Sequence, residues 1–367
     1  MIDWYTVKDI DQIDTPALLV YPDKVKQNID LAVRITKDIT RLRPHVKTNK
    51  MREVCSLMLE AGINKFKCAT IAEAEMLAMI LAPDVLLAYQ PVGPKALRLI
   101  ELIKAYPGTK FSCLIDNINN TQVISDLCKN NGVSIDIYVD LNVGMNRTGI
   151  KPENTENLIK EIIKLPNIHI VGLHGYDGHI HDESPEERQK AADISFSLAE
   201  KVLEKIKPYF DYPLTIIMGG TPTFPAHISH ANCELSPGTF VFWDYGYKHM
   251  LKDLPFEYAA LVATRIISIV DEHHICVDLG YKSIAAENPL PRVHFLNAPE
   301  AIPVAHSEEH LVLEVPDSKS YTLGNVLYGV PKHICPTVAL YDIANTIDNN
   351  EATGQWKVIA RNRFINY

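Results

Sequence analysis

The sequence predicts an α/β chain in which a (β/α)8 barrel is followed by an antiparallel β domain. Three observations predict it. Short, nearly all-apolar runs alternate with longer helical patterns up to about residue 253, as in a parallel sheet covered on both faces. Eight such runs occupy a length that suits one barrel. Beyond residue 254 the helical period disappears and β-type runs separated by turn residues take over. The expected domains are therefore 17–253 for the barrel and 254–367 for the β domain. The run 13–20 precedes the first barrel helix, and residues 1–16 with it are expected to lend a strand to the β domain.

The predicted barrel strands are 41–46, 65–69, 85–88, 110–115, 135–139, 168–173, 214–218 and 233–235. Helices are predicted at 27–35, 71–81, 95–104, 120–129, 153–164 and 185–206. The last has the clearest start. Ser184-Pro185-Glu186-Glu187 places Ser at the N-cap, Pro at the first helical position and Glu at the third, a capping box. In the second domain strands are predicted at 259–269, 275–277, 293–295, 310–315, 325–328 and 356–360.

Composition narrows the function classes. Hydrophobic residues are 47% and charged residues 22%, so the chain can bury a core and is not a disordered protein. The net charge of −9, with no basic run, lacks the electrostatic footprint of a nucleic-acid binder. No apolar stretch approaches the roughly 18 residues of a membrane span, and the acidic N-terminus lacks the apolar core of a signal peptide. Seven cysteines, an odd number with no CxxC, imply a reducing compartment, and a cytoplasmic protein is expected.

Barrel chemistry sits where strands end. After 41–46 comes Lys47, in Lys47-Thr48-Asn49-Lys50. A lysine desolvated at a barrel mouth can act as a base or form a Schiff base, whereas an exposed strand-end lysine does neither. After 135–139 comes Gly144-Met145-Asn146-Arg147, where Arg147 can pair with an anion or simply cap a turn. After 168–173 come His174, Tyr176, Asp177, His179 and His181, a dense polar rim that suits metal ligation, acid–base work or ordinary hydrogen bonding. Gly219-Gly220-Thr221 and Ser236-Pro237-Gly238-Thr239 follow the last two strands. Small residues with backbone N–H groups there form an anion nest, and barrels often hold a phosphate in these loops. In the β domain, His333 and Cys335 would share a face if they lie on a strand. They could hold one soft cation, zinc before magnesium, or be a buried cysteine beside a satisfied histidine. A Schiff-base lysine together with a phosphate anchor is the combination that pyridoxal 5′-phosphate uses.

The motifs DTPALLVYPDKVKQNI, RPHVKTNK, CATIAEAEML, GMNRTG, GLHGYDGHIH, GGTPTFP, ELSPGTFVFWD and HICPTVALYD occur in this order along almost the whole chain. With them the sequence resembles the D-threonine aldolase / D-serine dehydratase family, metal-dependent relatives of alanine racemase. The resemblance implies a TIM barrel of alanine racemase type. It implies that Lys47 carries pyridoxal 5′-phosphate, that Arg147 contacts the cofactor's phenolic oxygen and that Tyr176 packs on its ring. Gly220, Thr221, Gly238 and Thr239 would cradle the phosphate. His333 and Cys335 would hold a divalent metal, zinc first, with manganese or magnesium as alternatives. A homodimer acting on a D-amino acid, away from membranes, is implied.

Three residues depart from the family pattern. Asn49 replaces a histidine, Ser236 stands where an arginine commonly faces the pyridine nitrogen, and Ala339 replaces an asparagine after the metal motif. The soft Cys335 ligand favours dehydration of a D-β-hydroxy amino acid to a 2-oxo acid and ammonia. The alternative is aldol cleavage to glycine and an aldehyde, with His179 as candidate base. An amino acid racemase, with Tyr281 or Tyr328 as second base, and a non-catalytic pyridoxal phosphate-binding protein are the remaining readings.

Overall fold

The computed structural model describes residues 3–367. By packing, the chain divides into two units that interleave along the sequence. One comprises residues 1–31, 48–54 and 239–361; the other comprises 32–47, 55–238 and 362–367. The chain enters through strand β1 (Ala17–Val20) and helix α1 (Pro22–Thr36), in whose middle the assignment changes from the first unit to the second.

The second unit is the parallel barrel. Its strands are β2 (Lys65–Cys68), β3 (Asp84–Leu87), β4 (Lys110–Ile115), β5 (Ile135–Leu141), β6 (Ile168–Gly175), β7 (Thr215–Met218) and β8 (Cys233–Leu235), paired in chain order. The predicted strand 41–46 is not a regular strand. Residues 39–41 turn as a 3-10 helix and Pro44 has no N–H to give a ladder. The segment still fills the gap between the sheet edges: Arg43 N–H bonds Leu235 O at 2.8 Å, and Val46 N–H bonds Lys67 O at 2.9 Å. Leu42 and His45 bridge β8 and β2, so eight segments close the barrel. Leu86, Leu114, Tyr138 and Ile217 pack as one buried cluster from four strands.

Helices α2 (Arg52–Glu60), α3 (Ile71–Met79), α4 (Pro94–Ala105), α5 (Ile118–Asn131), α6 (Thr155–Ile162) and α7 (Pro185–Ile206) complete the alternation, α2 being absent from the expected set. Helix α7 matches its expected span. Ser184 Oγ accepts the Glu187 N–H at 3.3 Å, the N-cap half of a capping box, and donates to Glu186 Oε2 at 2.8 Å. Helix α5 shows why such segments stop: Asn117 caps its start and Gly132, at φ +68°, ends it in the left-handed region.

At the N-terminal end of the barrel, Arg43 is fully buried. It donates to Glu234 on β8 at 2.6 Å and to Asp84 on β3 at 2.5 Å, and Lys65 on β2 also pairs with Glu234. The last six residues belong to this unit too. Buried Glu75 accepts the N–H groups of Asn366 and Tyr367 at 3.1 and 3.3 Å, and Arg98 donates to Arg363 O at 2.9 Å.

The first unit is an antiparallel sheet of β9 (Ala260–Ile269), β10 (His274–Val277), β11 (Val293–Phe295), β12 (Ile302–His306), β13 (Leu311–Glu314), β14 (Val326–Pro331), β15 (Ile343–Asp348) and β16 (Glu351–Lys357). The N-terminal strand β1 lies in it, antiparallel to β9 and parallel to β15. The expected strand 356–360 is displaced: β16 ends at Lys357 and a 3-10 turn follows. Two short helices, α8 (Tyr245–Met250) and α9 (Ile334–Val338), also belong here. No helix among the described residues is long and apolar enough to cross a membrane.

Candidate active site

Within the barrel unit, Tyr176 is the reference point. It follows β6, and its ring has Arg147 with the guanidinium carbon 4.8 Å from the centroid, and Lys47 Nζ at 5.8 Å. Strand ends place all three, as barrel architecture requires. A Cβ on Gly178 would lie 2.2 Å from Tyr176, and one on Gly220 would lie 3.3 Å away. Glycine at 178 is therefore dictated by the ring, and Gly220 leaves little between the loop and the ring. Gly144, at φ +126°, is closed by His179, whose imidazole would meet a Cβ at 2.6 Å. His179 itself is exposed.

The two loops expected to hold an anion are tied together. Thr221 Oγ1 accepts the Gly238 N–H at 3.0 Å. Beside them Ser236 is buried, and its Oγ has no hydrogen-bond partner. A buried orphan hydroxyl costs about 1–3 kcal/mol, and a bound polar group would remove that cost. The residues present thus fit an anionic, aromatic cofactor attached at Lys47.

The motif reading missed a third cation. Lys67, on β2, is buried, with Nζ 2.7 Å from His174 Nε2 and 5.7 Å from the Tyr176 centroid. His174 Nδ1 is 2.6 Å from Asp140 Oδ1. Burial first, then the charges of Lys47 and Arg147, push the Lys67 ammonium down to about 7 against the pull of Asp140 and Asp177. Burial and the Lys67 charge also hold His174 below the ordinary imidazole value. Burial alone would raise Asp140, but its hydrogen bond from His174 keeps it below the usual carboxylate range. The signal was available. Lys65 and Lys67 are two apart in an otherwise apolar run, so both face one side of the strand. Asp177, from the same rim, pairs with buried His227 at 2.7 Å.

The second cluster lies within the other unit. Here the strand expected through His333 and Cys335 is corrected. β14 ends at Pro331, His333 is the extended N-cap residue, and Cys335 is in the first turn of α9. Asp244 stabilises this turn by accepting the Ile334 N–H at 3.1 Å, and Pro336 is tolerated because it falls in the first turn. His333 Nδ1 is 2.5 Å from Glu287 Oε1, which leaves Nε2 for Cys335. Thr48 Oγ1 and Thr239 Oγ1 approach Cys335 Sγ at 3.1 and 3.5 Å. Burial would lower His333, but hydrogen bonds with Cys335 and Glu287 raise it to about 9. Burial would raise the Cys335 thiol, but His333 and the two hydroxyls pull it down.

A sulfur pulled towards thiolate, beside an imidazole oriented by a carboxylate, is the donor chemistry of a thiophilic divalent metal. The described residues contain no group of three metal-capable His, Cys, Asp or Glu side chains. A cavity of about 310 Å³ beside His333 is lined by Asp244, Tyr247, Met250, Asn288 and Lys332 among others. Asp244 and Glu287 had no sequence signal, because only tertiary folding brings them to His333.

Other candidates have structural partners. Tyr328 is buried, and its hydroxyl accepts the Val7 N–H at 3.1 Å. Tyr281 is exposed and packs edge-on to His306. Thr239, expected in the phosphate cradle, has its hydroxyl at Cys335.

Comparison with known proteins gives two family matches. Alanine racemase, N-terminal domain, matches residues 20–246, and the domain described as "Putative serine dehydratase domain" matches 259–347. A D-threonine aldolase from Arthrobacter sp is 27% identical over 95% of this chain and 93% of its own length. A D-threo-3-hydroxyaspartate dehydratase from Delftia sp. is 21% identical over 94% of this chain and 97% of its own. The crystal structure of D-threonine aldolase from Filomicrobium marinum superposes with a TM-score of 0.87 at 25% identity, covering 95% of this chain and 96% of that one.

Proposed function

Since the chain belongs to the alanine racemase-like family of pyridoxal phosphate enzymes, in its D-threonine aldolase / D-serine dehydratase branch, we propose that it is a lyase of D-β-hydroxy amino acids, of the dehydratase type. The observation that carries the dehydratase reading is Cys335, a softened sulfur ligand paired with His333. The second reading is aldol cleavage, and the likeness to two D-threonine aldolases favours it.

Pyridoxal phosphate supplies an electron sink for a bond broken at the substrate Cα, and a divalent metal supplies Lewis-acid polarisation of a hydroxyl. Lys47 Nζ would hold the cofactor, and its amine would serve as the base for the substrate Cα proton. Arg147 would pair with a cofactor oxygen, and Tyr176 would back the ring. Gly220, Thr221, Gly238 and Thr239 would line the phosphate cradle. His333 Nε2 and Cys335 Sγ would hold the metal, zinc before manganese or magnesium, with Glu287 fixing the imidazole. In aldol cleavage His179 would take the hydroxyl proton instead.

We further take the expected cofactor-binding domain, 17–253, as centred on the barrel unit of 32–47 and 55–238, the expected metal-bearing domain, 254–367, as centred on the other unit, to which 17–31, 48–54 and 239–253 also belong, and the assembly as a homodimer. A reducing, cytoplasmic setting is supported by seven free cysteines, six of them buried. The test is D-threonine with protein loaded with pyridoxal phosphate and zinc, with and without chelator. Chelator-sensitive 2-oxobutanoate and ammonia are expected. Glycine and acetaldehyde would replace the dehydratase reading with the aldolase. Neither product, nor any from other D-β-hydroxy amino acids, would reject the lyase.

A further inference from the structure

We propose that Lys67 is a second functional lysine of the barrel site: held by His174 and Asp140, it sets the charge around Lys47 and so the protonation of the cofactor linkage formed there. The proposal rests on the reading that Lys47 carries pyridoxal phosphate.

The geometry separates Lys67 from an ordinary buried ion pair. Lys65, two residues earlier on the same strand, pairs directly with a carboxylate, Glu234. Lys67 meets an imidazole instead, at 2.7 Å, and reaches Asp140 only through that ring. A carboxylate can only accept, so His174 donates from Nδ1 to Asp140 and accepts at Nε2 from Lys67. The line of donation runs Lys67 to His174 to Asp140. A proton leaving Lys67 Nζ can pass to His174 Nε2, with the N–H electron pair staying on Nζ, and the trio's total charge does not change. Loss of that proton to solvent removes one positive charge.

The groups facing Lys67 come from several elements. His174 is on β6, Asp140 on β5, Lys47 follows the 42–46 segment, Arg147 follows β5 and Asp177 follows β6. Lys47 and Arg147 disfavour its ammonium, while the two carboxylates favour it. Lys47 and Lys67 both stand within 6 Å of the Tyr176 ring centre, so the charge on one acts on the other. This makes Lys67 a positioning residue that works through Lys47.

The experiment is a pH titration of the absorbance of the bound cofactor in protein loaded with pyridoxal phosphate. Wild type is compared with Lys67→Met and Lys67→Arg, after borohydride reduction and peptide mapping have located the cofactor on Lys47. Wild type should show a step near neutral pH, where Lys67 exchanges its proton. Lys67→Met should lose that step, and at pH values below it the linkage should hold its proton more tightly by about one pH unit, because a neighbouring cation has gone. Lys67→Arg should lose the step and hold the linkage midpoint at or below that of wild type, since arginine keeps its charge throughout. If Lys67→Met does not fold, Lys67→Arg alone decides whether the step belongs to Lys67. Identical titrations in all three proteins overturn the proposal while leaving Lys47 as the cofactor residue. No adduct on Lys47 in wild type overturns the underlying reading and this proposal with it.

Discussion

The two ends of the barrel unit handle buried charge in opposite ways. At the N-terminal end two cations, Arg43 and Lys65, meet two carboxylates, Glu234 and Asp84, in direct contact. Arg43 stays protonated there: burial opposes its charge, and the two carboxylates more than restore it. At the other end Lys47, Lys67 and Arg147 crowd one tyrosine ring, and the nearest carboxylates, Asp140 and Asp177, are both already engaged by histidines. Both sets lie within one small barrel, so burial alone does not distinguish them. Compensation does. A closed set of charges fixes a structure, whereas an open set is held ready for a ligand that completes it.

Replacing Lys47 with Ala should have the largest effect, since it removes from the open end the amine proposed to anchor the cofactor. Product formation should fall by about 10³-fold or more, with loss of the borohydride-stable cofactor adduct. A protein that kept its activity would put the reactive lysine elsewhere, with Lys67 the first place to look. At the closed end, Arg43→Met should cost up to roughly 3–5 kcal/mol in denaturant unfolding, because it removes the buried cation that Asp84 and Glu234 share and leaves Glu234 with Lys65 alone. Activity per folded molecule should hold. A loss of activity without loss of stability would erase the contrast between the two ends.

The pH dependence of stability sharpens it further. The folded value of Lys67, about 7, is below the ordinary lysine value, so between about pH 7 and 10 the unfolded chain binds more protons. Stability from this residue therefore rises with pH across that window. Lys67→Met should raise the melting temperature most below pH 7, with the gain fading towards pH 10. A gain that did not vary with pH would mean that Lys67 does not change protonation in this range. Glu287→Gln carries the comparison to the other unit. It should weaken zinc binding about 10–100-fold in a chelator competition, as loss of a ligand-orienting carboxylate does. Ser184→Ala, at the exposed start of α7 and in neither end's buried charge set, should cost only about 1 kcal/mol, the value of one helix cap, with kinetics unchanged.

Much of the barrel was legible because its strands are nearly all apolar and its helices carry caps and a clear period. The first barrel segment was legible in place but not in form, since Pro44 and the turn before it break the ladder. In the other unit, β12 and β15 were not among the expected strands and β16 was expected too late; β12 and β16 are largely exposed, so little burial stamps an apolar pattern on them. Lys47, Arg147 and Tyr176 could be picked out because strand ends converge in a barrel. Lys67 could have been found by asking which way a charged residue inside an apolar strand must point. Glu287 and Asp244 could not, because they act on His333 from distant segments and neither stands in a recognisable spacing.

The C-terminal segment has a bearing on how the protein is made. The barrel unit starts at residue 32, but its buried Glu75 is satisfied by backbone donors from residues 366 and 367. Domains emerging from a ribosome ordinarily fold in order, N-terminal first. Here vectorial synthesis cannot finish the earlier unit before the later one. Every strand of the barrel is in place on the chain by residue 238, yet one of its buried carboxylates waits for partners more than a hundred residues downstream. A ribosome stalled after the antiparallel sheet would hold a barrel with an acid group still unsatisfied at its side.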